Sequence, residues 1–240
     1  MHEPENTSQS LHQHSGGENL EVMQDAEKYN HFLRQLIRRF SNNASTALDF
    51  GAGIGTFSDS LNIPSQQVHC VEPDSAARVL LANRGFHTHA SLSEIDSVSI
   101  SYAFTLNVLE HIEDDAAVLR DLYRVLEPGG RILIYVPAFP ILYTSMDAHV
   151  GHYRRYRMAK LVDIVEQAGF EVKYKAYADA LGFFATLALR LVDDLEPAPL
   201  NPRMVRIYDR YLFPLSKALS IPLAKILGKN VWLVATRPTE

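Results

Sequence analysis

The sequence predicts an α/β protein, and three observations carry that prediction. Ala47-Leu48-Asp49-Phe50 is a short apolar strand that runs straight into Gly51-Ala52-Gly53-Ile54-Gly55, with glycines at alternate positions. A second largely apolar run, Val68-His69-Cys70-Val71, ends in Glu72-Pro73-Asp74. From there to residue 176, β-rich runs alternate with segments whose apolar residues recur at three- and four-residue steps. Such alternation packs into one mostly parallel sheet with helices on both faces.

The glycine stretch carries most of the chemistry. Glycine lacks a Cβ, so the turn can take positive φ and let a ligand lie against its backbone. Thr56 to Leu61 reads as a helix start, which would put backbone N–H groups and a positive helix end beside that ligand. Asp49, two residues before the first glycine, would add a carboxylate from the strand end. A glycine loop with a carboxylate suits a ligand bearing an ammonium group and suits a naked pyrophosphate poorly. Glu72 falls about twenty residues after the glycines, where an α/β nucleotide fold places an acid for two ribose hydroxyls.

Composition sets the outer bounds. The chain has 240 residues, 47% of them hydrophobic, enough for one α/β domain with additions. A net charge of −5 offers no global attraction for nucleic acid or an anionic membrane. The single cysteine, Cys70, excludes a disulfide scaffold and a cysteine zinc site. No segment resembles a signal peptide and no apolar run reaches the ~20 residues that span a bilayer, so a cytoplasmic protein is expected. Residues 1–19, polar and with scattered His2, His12 and His14, read as a disordered leader before a single domain over 20–240.

Leu20 to Phe40 has the apolar spacing of an amphipathic helix, with Tyr29 and Phe32 on its stripe. Ser75 to Asn83 is a helix stopped by Gly85, and Phe86 to Ala90 a short strand with His87 and His89 on one face. No third metal ligand stands near that pair in sequence. Ser99 to Leu106 is the fourth strand; it delivers Asn107, then Val108-Leu109-Glu110-His111, to the carboxyl edge where open α/β sheets bind ligands. His111 is a candidate base, cofactor neighbour or helix cap. Glu113, Asp114 and Asp115 are first-turn acids that favour the next helix through its dipole. Ile112, Ala116, Leu119, Tyr123 and Leu126 form its buried stripe, Pro128-Gly129-Gly130 stops it, and Arg131 to Val136 is the fifth strand.

Residues 137–157 form a long loop after that strand, placed to act as a lid. Its Asp147 and Gly151-His152-Tyr153-Arg154-Arg155-Tyr156 are denser in charge and aromatic rings than a connector needs. Tyr153, Arg154, Arg155 and Tyr156 are candidate substrate-binding residues, the arginine forks suiting carboxylate or phosphate. The alternative is a loop pinned by salt bridges to Asp147 or Glu110. His152 is the leading candidate for a general base and His111 the second. Met158 to Ala168 is a helix stopped by Gly169, and Phe170 to Ala176 alternates as a strand with one wet face.

The last strand appears only at Asn230 to Thr236. The intervening insert, 178–229, reads as helices over Ala180–Val192, Arg203–Phe213 and Leu215–Leu227, the last kinked by Pro222. It mixes apolar residues with Arg203, Arg206, Arg210, Lys217, Lys225 and Lys229. A substrate-covering cap, a homodimer surface and a peripheral membrane contact for a lipid-like acceptor all fit that composition.

Taken together, Leu48-Asp49-Phe50-Gly51-Ala52-Gly53-Ile54-Gly55, Val71-Glu72-Pro73-Asp74, Asn107-Val108-Leu109-Glu110-His111 and Leu126-Glu127-Pro128-Gly129-Gly130 resemble the class I S-adenosylmethionine-dependent methyltransferases, in the family's order and spacing over about residues 20 to 175. The resemblance implies a Rossmann-like seven-stranded sheet whose last two strands pair as a hairpin, so the insert is a departure from the minimal pattern. It implies S-adenosyl-L-methionine as cofactor, with S-adenosyl-L-homocysteine as product. Cofactor contacts would be Tyr29 from the leading helix, Asp49 at the ammonium, Gly51, Ala52, Gly53 and Gly55 along the methionine end, Glu72 and Pro73 at the ribose, Ser91 and Leu92 at the adenine, and Asn107 and Val108 toward the methyl. Position 91 or 92 lacks the acid that the family usually offers. The Gly-His-x-Arg-Arg-Tyr run is similar to a bacterial subgroup of these enzymes without naming a substrate.

The expected reaction is O- or N-methylation of a small anionic or lipid-like acceptor, with no metal and no nucleic acid. A nicotinamide-dependent oxidoreductase is the competing enzyme class, disfavoured because Thr56 stands where the last dinucleotide glycine would be. A non-catalytic cofactor-binding subunit is the competing non-enzyme, disfavoured by the intact Asp49, glycines and Glu72.

Overall fold

Strand-forming residues dominate the chain's centre: Ala47–Phe50 (β1), Val68–Val71 (β2), His87–His89 (β3), Ile100–Leu106 (β4) and Leu126–Pro137 (β5). A computed structural model describes residues 25–191 and 201–239; the expected leader, the start of the first helix and the end of the first insert helix at Val192 lie outside them. Glu171–Ala178 (β6) and Asn230–Thr236 (β7) complete one seven-stranded sheet of order β3-β2-β1-β4-β5-β7-β6. Strands β1 to β5 are parallel, and β7 inserts antiparallel between β5 and β6. The expected mostly parallel sheet is therefore observed.

Side chains alternate across β5: Ile132, Ile134 and Val136 enter one core, Leu133 and Tyr135 the other. Asp115–Val125 (α3) and Met158–Gln167 (α5) cover the first face through Leu119, Leu122, Leu161 and Val165. Glu27–Phe40 (α1) and Ser75–Asn83 (α2) cover the second through Leu33, Leu36, Ile37, Phe40 and Leu81. Strand order reverses between β1 and β4, so their carboxyl ends flank a crevice.

Four expectations are corrected. Thr56 to Leu61 is not a helix start: turns lead into one short 3-10 turn, Ser58–Ser60. Leu126 is the first residue of β5, not the end of α3, because Pro128 cannot join the helix. The 137–157 segment is not an open loop: Ser145–His149 (α4) is closed by a capping box between Thr144 and Asp147. Tyr156 pairs with Ala138 and is 2% exposed.

In the insert, Ala180–Arg190 (α6) is followed by Pro202–Ile207 (α7), a π-helical turn at Tyr208–Leu212 and Phe213–Leu223 (α8). Sequence spacing reads two helices there; the structure runs them together through the π turn, with Pro214 tolerated in the first turn of α8.

Candidate functional site

The glycines take φ of +79° at Gly51, +53° at Gly53 and +83° at Gly55, as the turn requires. Their environments differ. A Cβ on Gly51 would strike Val108, and one on Gly55 would strike Arg84 and Leu81. At Gly53 no described residue lies within 4 Å of that position, so this glycine alone presents open space. Arg84 holds the turn from beneath, donating to the carbonyls of Ile54 (2.6 Å) and Gly55 (3.0 Å) and pairing with Asp59. Arg84 was invisible in the sequence as a site residue, since it reads as a helix end beside Gly85.

Glu72 spans the crevice mouth: its carboxylate accepts from the N–H of Gly53 (2.8 Å) and of Asp74 (3.0 Å). Pro73 beside it is exposed. Asp49 lies deeper, 4% exposed, and among the described residues its one side-chain donor is Ser58 Oγ at 2.7 Å. Burial raises its pKa to about 7, and the nearby Glu72 adds to the rise. Among the described residues no cation reaches Asp49 with a hydrogen bond, and the Arg84 charge offsets only a small part of its burial.

Strand β4 ends at Asn107, held at φ +54° with its N–H donating to Tyr135 O at 2.8 Å. The Tyr29 ring meets those of Tyr135 and Phe213 edge-on, centroids 6.3 and 5.5 Å apart. Its hydroxyl lies by Tyr135 and Asn107, and burial lifts its pKa to about 12. Val108 is the wall against Gly51. Ser91 is exposed and shares a hydrogen with Ser93, whereas Leu92 is core. Between α1 and the loop lies a cleft of about 610 Å3, lined by Asn30, His31 and Arg34 from one side and Gly55, Thr56 and Arg84 from the other. Asn30 is a polar residue among the buried positions of α1, whereas His31 and Arg34 lie off the apolar stripe, and apolar periodicity passes over all three.

The lid's polar groups are mostly consumed internally. Arg155 sets its fork on Asp147 (Nε at 2.9 and 3.0 Å), and Arg154 pairs with Asp115 at 3.1 Å. The Tyr156 hydroxyl donates to Asp115 at 2.7 Å. Tyr156 is accordingly a core residue and Arg155 a structural tie, which replaces their expected role as acceptor contacts. Asp115 is not merely a dipole acid but the anchor of both Arg154 and Tyr156. Tyr153 alone of the four stays exposed, and its N–H ties the segment to Glu110 O at 2.8 Å.

Inside this tie lies a cluster that sequence did not foresee. His152 Nδ1 meets Asp147 Oδ1 at 2.7 Å. Burial would raise the Asp147 pKa, but hydrogen bonds from His152 and Arg155 hold it down at about 2. The His111 and His152 rings meet edge to face, 4.5 Å between centroids. His111 is exposed as a residue, yet its ring is crowded by Val150 and Gly151; desolvation, then His152, bring its pKa down to about 4. Glu110 is fully buried, receives no hydrogen bond at either oxygen from another of the described residues, and has its pKa lifted by burial to about 8. One ligand atom from each of Glu110, His111 and His152 lies within 4.8 Å of the others.

A switch-point crevice with a positive-φ glycine turn, a buried carboxyl on β1 and an acid after β2 is the arrangement expected of the class I S-adenosylmethionine-dependent methyltransferases. The comparisons agree. Residues 26–175 match the model of a methyltransferase domain, and the chain belongs to that family. A probable S-adenosylmethionine-dependent methyltransferase of Mycolicibacterium smegmatis is 31% identical over 109 residues, 44% of this chain; the chain covers 40% of that curated relative. Among solved structures, a Thermotoga maritima S-adenosylmethionine-dependent methyltransferase superposes at TM-score 0.63 with 15% identity, over 92% of this chain and 95% of that one. Haemonchus contortus phosphoethanolamine N-methyltransferase 2, solved with S-adenosyl-L-methionine, gives 0.57 with 18% identity, over 86% and 52%.

The residues fit this family's cofactor. Among the described residues no cation reaches Asp49 with a hydrogen bond, the ligand's ammonium would supply one, and Gly53 leaves its front open.

Proposed function

We propose that the protein transfers a methyl group from S-adenosyl-L-methionine to a hydroxyl of a small, lipid-like acceptor. Cofactor use is carried by Asp49, a buried carboxyl at the end of β1 beside the glycine turn that, among the described residues, has Ser58 but no cation within hydrogen-bond reach. Glu72 would exchange its bond to Gly53 for the ribose hydroxyls, and Tyr29, Gly53, Asn107 and Val108 would line the methionine end. The sulfonium makes its methyl electrophilic unaided, so the protein's task is alignment. The acceptor's lone pair forms the new bond to carbon as the carbon–sulfur bond breaks, that pair staying on sulfur. A hydroxyl acceptor sheds its proton, and in the ion-free site His111, after β4, and His152, after β5, are the candidates to take it.

The acceptor class follows from what remains free. Arg154 and Arg155 are already matched by Asp115 and Asp147, which argues against a strongly anionic acceptor. The insert exposes Phe184, Leu189, Met204, Ile207, Leu215 and Ile221, which favours an apolar one.

Calorimetric titration with S-adenosyl-L-homocysteine, run beside NADH, tests the cofactor. Micromolar binding that weakens at least roughly tenfold in Glu72→Ala is the expected outcome. Preference for NADH, or no binding, would overturn the reading.

A further inference from the structure

We propose that Glu110, His111 and His152 bind one divalent transition-metal ion, which holds an oxygen of the methyl acceptor. The binding claim stands on geometry alone; the acceptor's part in it rests on the methyl-transfer reading. Three observations converge.

The first is Glu110. A carboxyl fully withdrawn from solvent with both oxygens unpartnered is costly, and such groups are normally satisfied. Neither Asp147 nor Asp115 is left in this condition: each has cationic and hydroxyl or backbone donors. Arg155 sets its Nε and Nη2 on Asp147; its buried Nη1 has no partner among the described residues, and its charge offsets only part of the burial of Glu110 without reaching it with a hydrogen bond.

The second is convergence. His152 Nε2 lies 4.0 Å from Glu110 Oε1, and the triad's ligand atoms fall within 4.8 Å of one another. Side-chain rotations that close these gaps by about 1 Å would bring all three to the ~2.0–2.2 Å of metal–nitrogen and metal–oxygen bonds. His111 reaches the surface, which supplies an entry path.

The third is the outer shell. Asp147 holds His152 through Nδ1 at 2.7 Å, which leaves Nε2 facing Glu110. A carboxylate behind a ligating imidazole fixes its tautomer and raises its basicity, as metal sites commonly require. His111 has its Nδ1 side against Gly151, next to backbone carbonyl groups, and can offer Nε2 in the same way. Two imidazoles and one carboxylate favour zinc, manganese, iron or cobalt over magnesium or calcium. Three protein ligands leave further positions open, as in catalytic rather than structural sites. Glu110 and His111 follow Asn107 within four residues at the end of β4, so an oxygen held there would lie at the methyl-transfer crevice.

Metal-stripped full-length protein would be titrated with Zn2+ and with Mn2+, alone, by calorimetry. One ion per chain is expected, with affinity falling at least roughly tenfold in Glu110→Gln and in His111→Ala. It should persist in a His2→Ala/His12→Ala/His14→Ala triple variant. Loss in that triple variant, or unchanged binding in His111→Ala, would overturn the proposal. Pulsed electron paramagnetic resonance of the Mn2+-loaded wild type needs no variant: nitrogen couplings from two imidazoles support the site, and their absence overturns it. S-Adenosyl-L-homocysteine titrated in the same preparations separates the two claims, since its binding without metal binding would sink this inference and leave the cofactor reading standing.

Discussion

Asp49 shows how one buried group sets stability against function. Its pKa rises from 3.8 to about 7 on folding, so the folded state prefers it protonated. The sign follows: the contribution of Asp49 to stability is greatest below pH 4, declines as pH climbs from about 4 to about 7, and the penalty is complete above that window. Its upper limit is about 4 kcal/mol. Asp49→Asn should therefore raise the melting temperature of the ligand-free protein at pH 8 while weakening S-adenosyl-L-homocysteine. In the wild type, affinity should increase with pH up to about 7 and then level off, because the ligand's ammonium selects the ionised carboxylate. A flat pH profile, or an asparagine variant that binds as well, would show that the ammonium is held elsewhere. Gly51, Gly53 and Gly55 make a related point: identical letters serve packing at two positions and an open face at the third.

At the level of elements, helix α1 and the insert complete each other. The α1 N-cap, Ala26, has no side-chain acceptor to offer. Asp209, about 180 residues away on the π turn, supplies it instead, accepting from Lys28 N–H at 2.9 Å and Tyr29 N–H at 2.8 Å. Phe213 then packs on Tyr29 and Phe32. A second acid, Asp179, seats the insert's other end, taking hydrogen bonds from Gly182, Tyr208 and Ser216 at the N-cap of α6. Asp209→Ala should cost about 1–2 kcal/mol in denaturant unfolding. It should also weaken S-adenosyl-L-homocysteine binding through Tyr29, with Asp209→Asn recovering part of both. Unchanged ligand affinity in the alanine variant would separate the insert from the cofactor crevice.

On the scale of the whole molecule, the insert's exposed apolar residues lie among Arg203, Arg210 and Lys225 on a chain of net charge −5. Among the described residues no helix is long and apolar enough to cross a membrane. A lipid-like acceptor would instead be met at an interface. Flotation with vesicles containing anionic lipid should retain the wild type, and Ile221→Glu with Leu215→Glu should reduce retention several-fold. Retention by neither, with a dimer mass in light scattering, would assign the face to a second copy.

The sequence by itself determined the sheet, the glycine turn, the acid after β2 and the class of cofactor. Each is local: β7 was read as Asn230 to Thr236 and α2 as Ser75 to Asn83, with the bounds the structure gives, because strand and helix periods and glycine stops act over neighbouring residues. Tertiary structure alone decided what the polar residues do. Arg154, Arg155 and Tyr156 looked like ligands for an acceptor until Asp115 and Asp147 were found beside them. Glu110 and His111 met His152 only because β4 and the segment after β5 end at the same edge. Hydrogen bonding and ion pairing are settled by partners distant in the chain, and one-dimensional spacing carries no record of those partners.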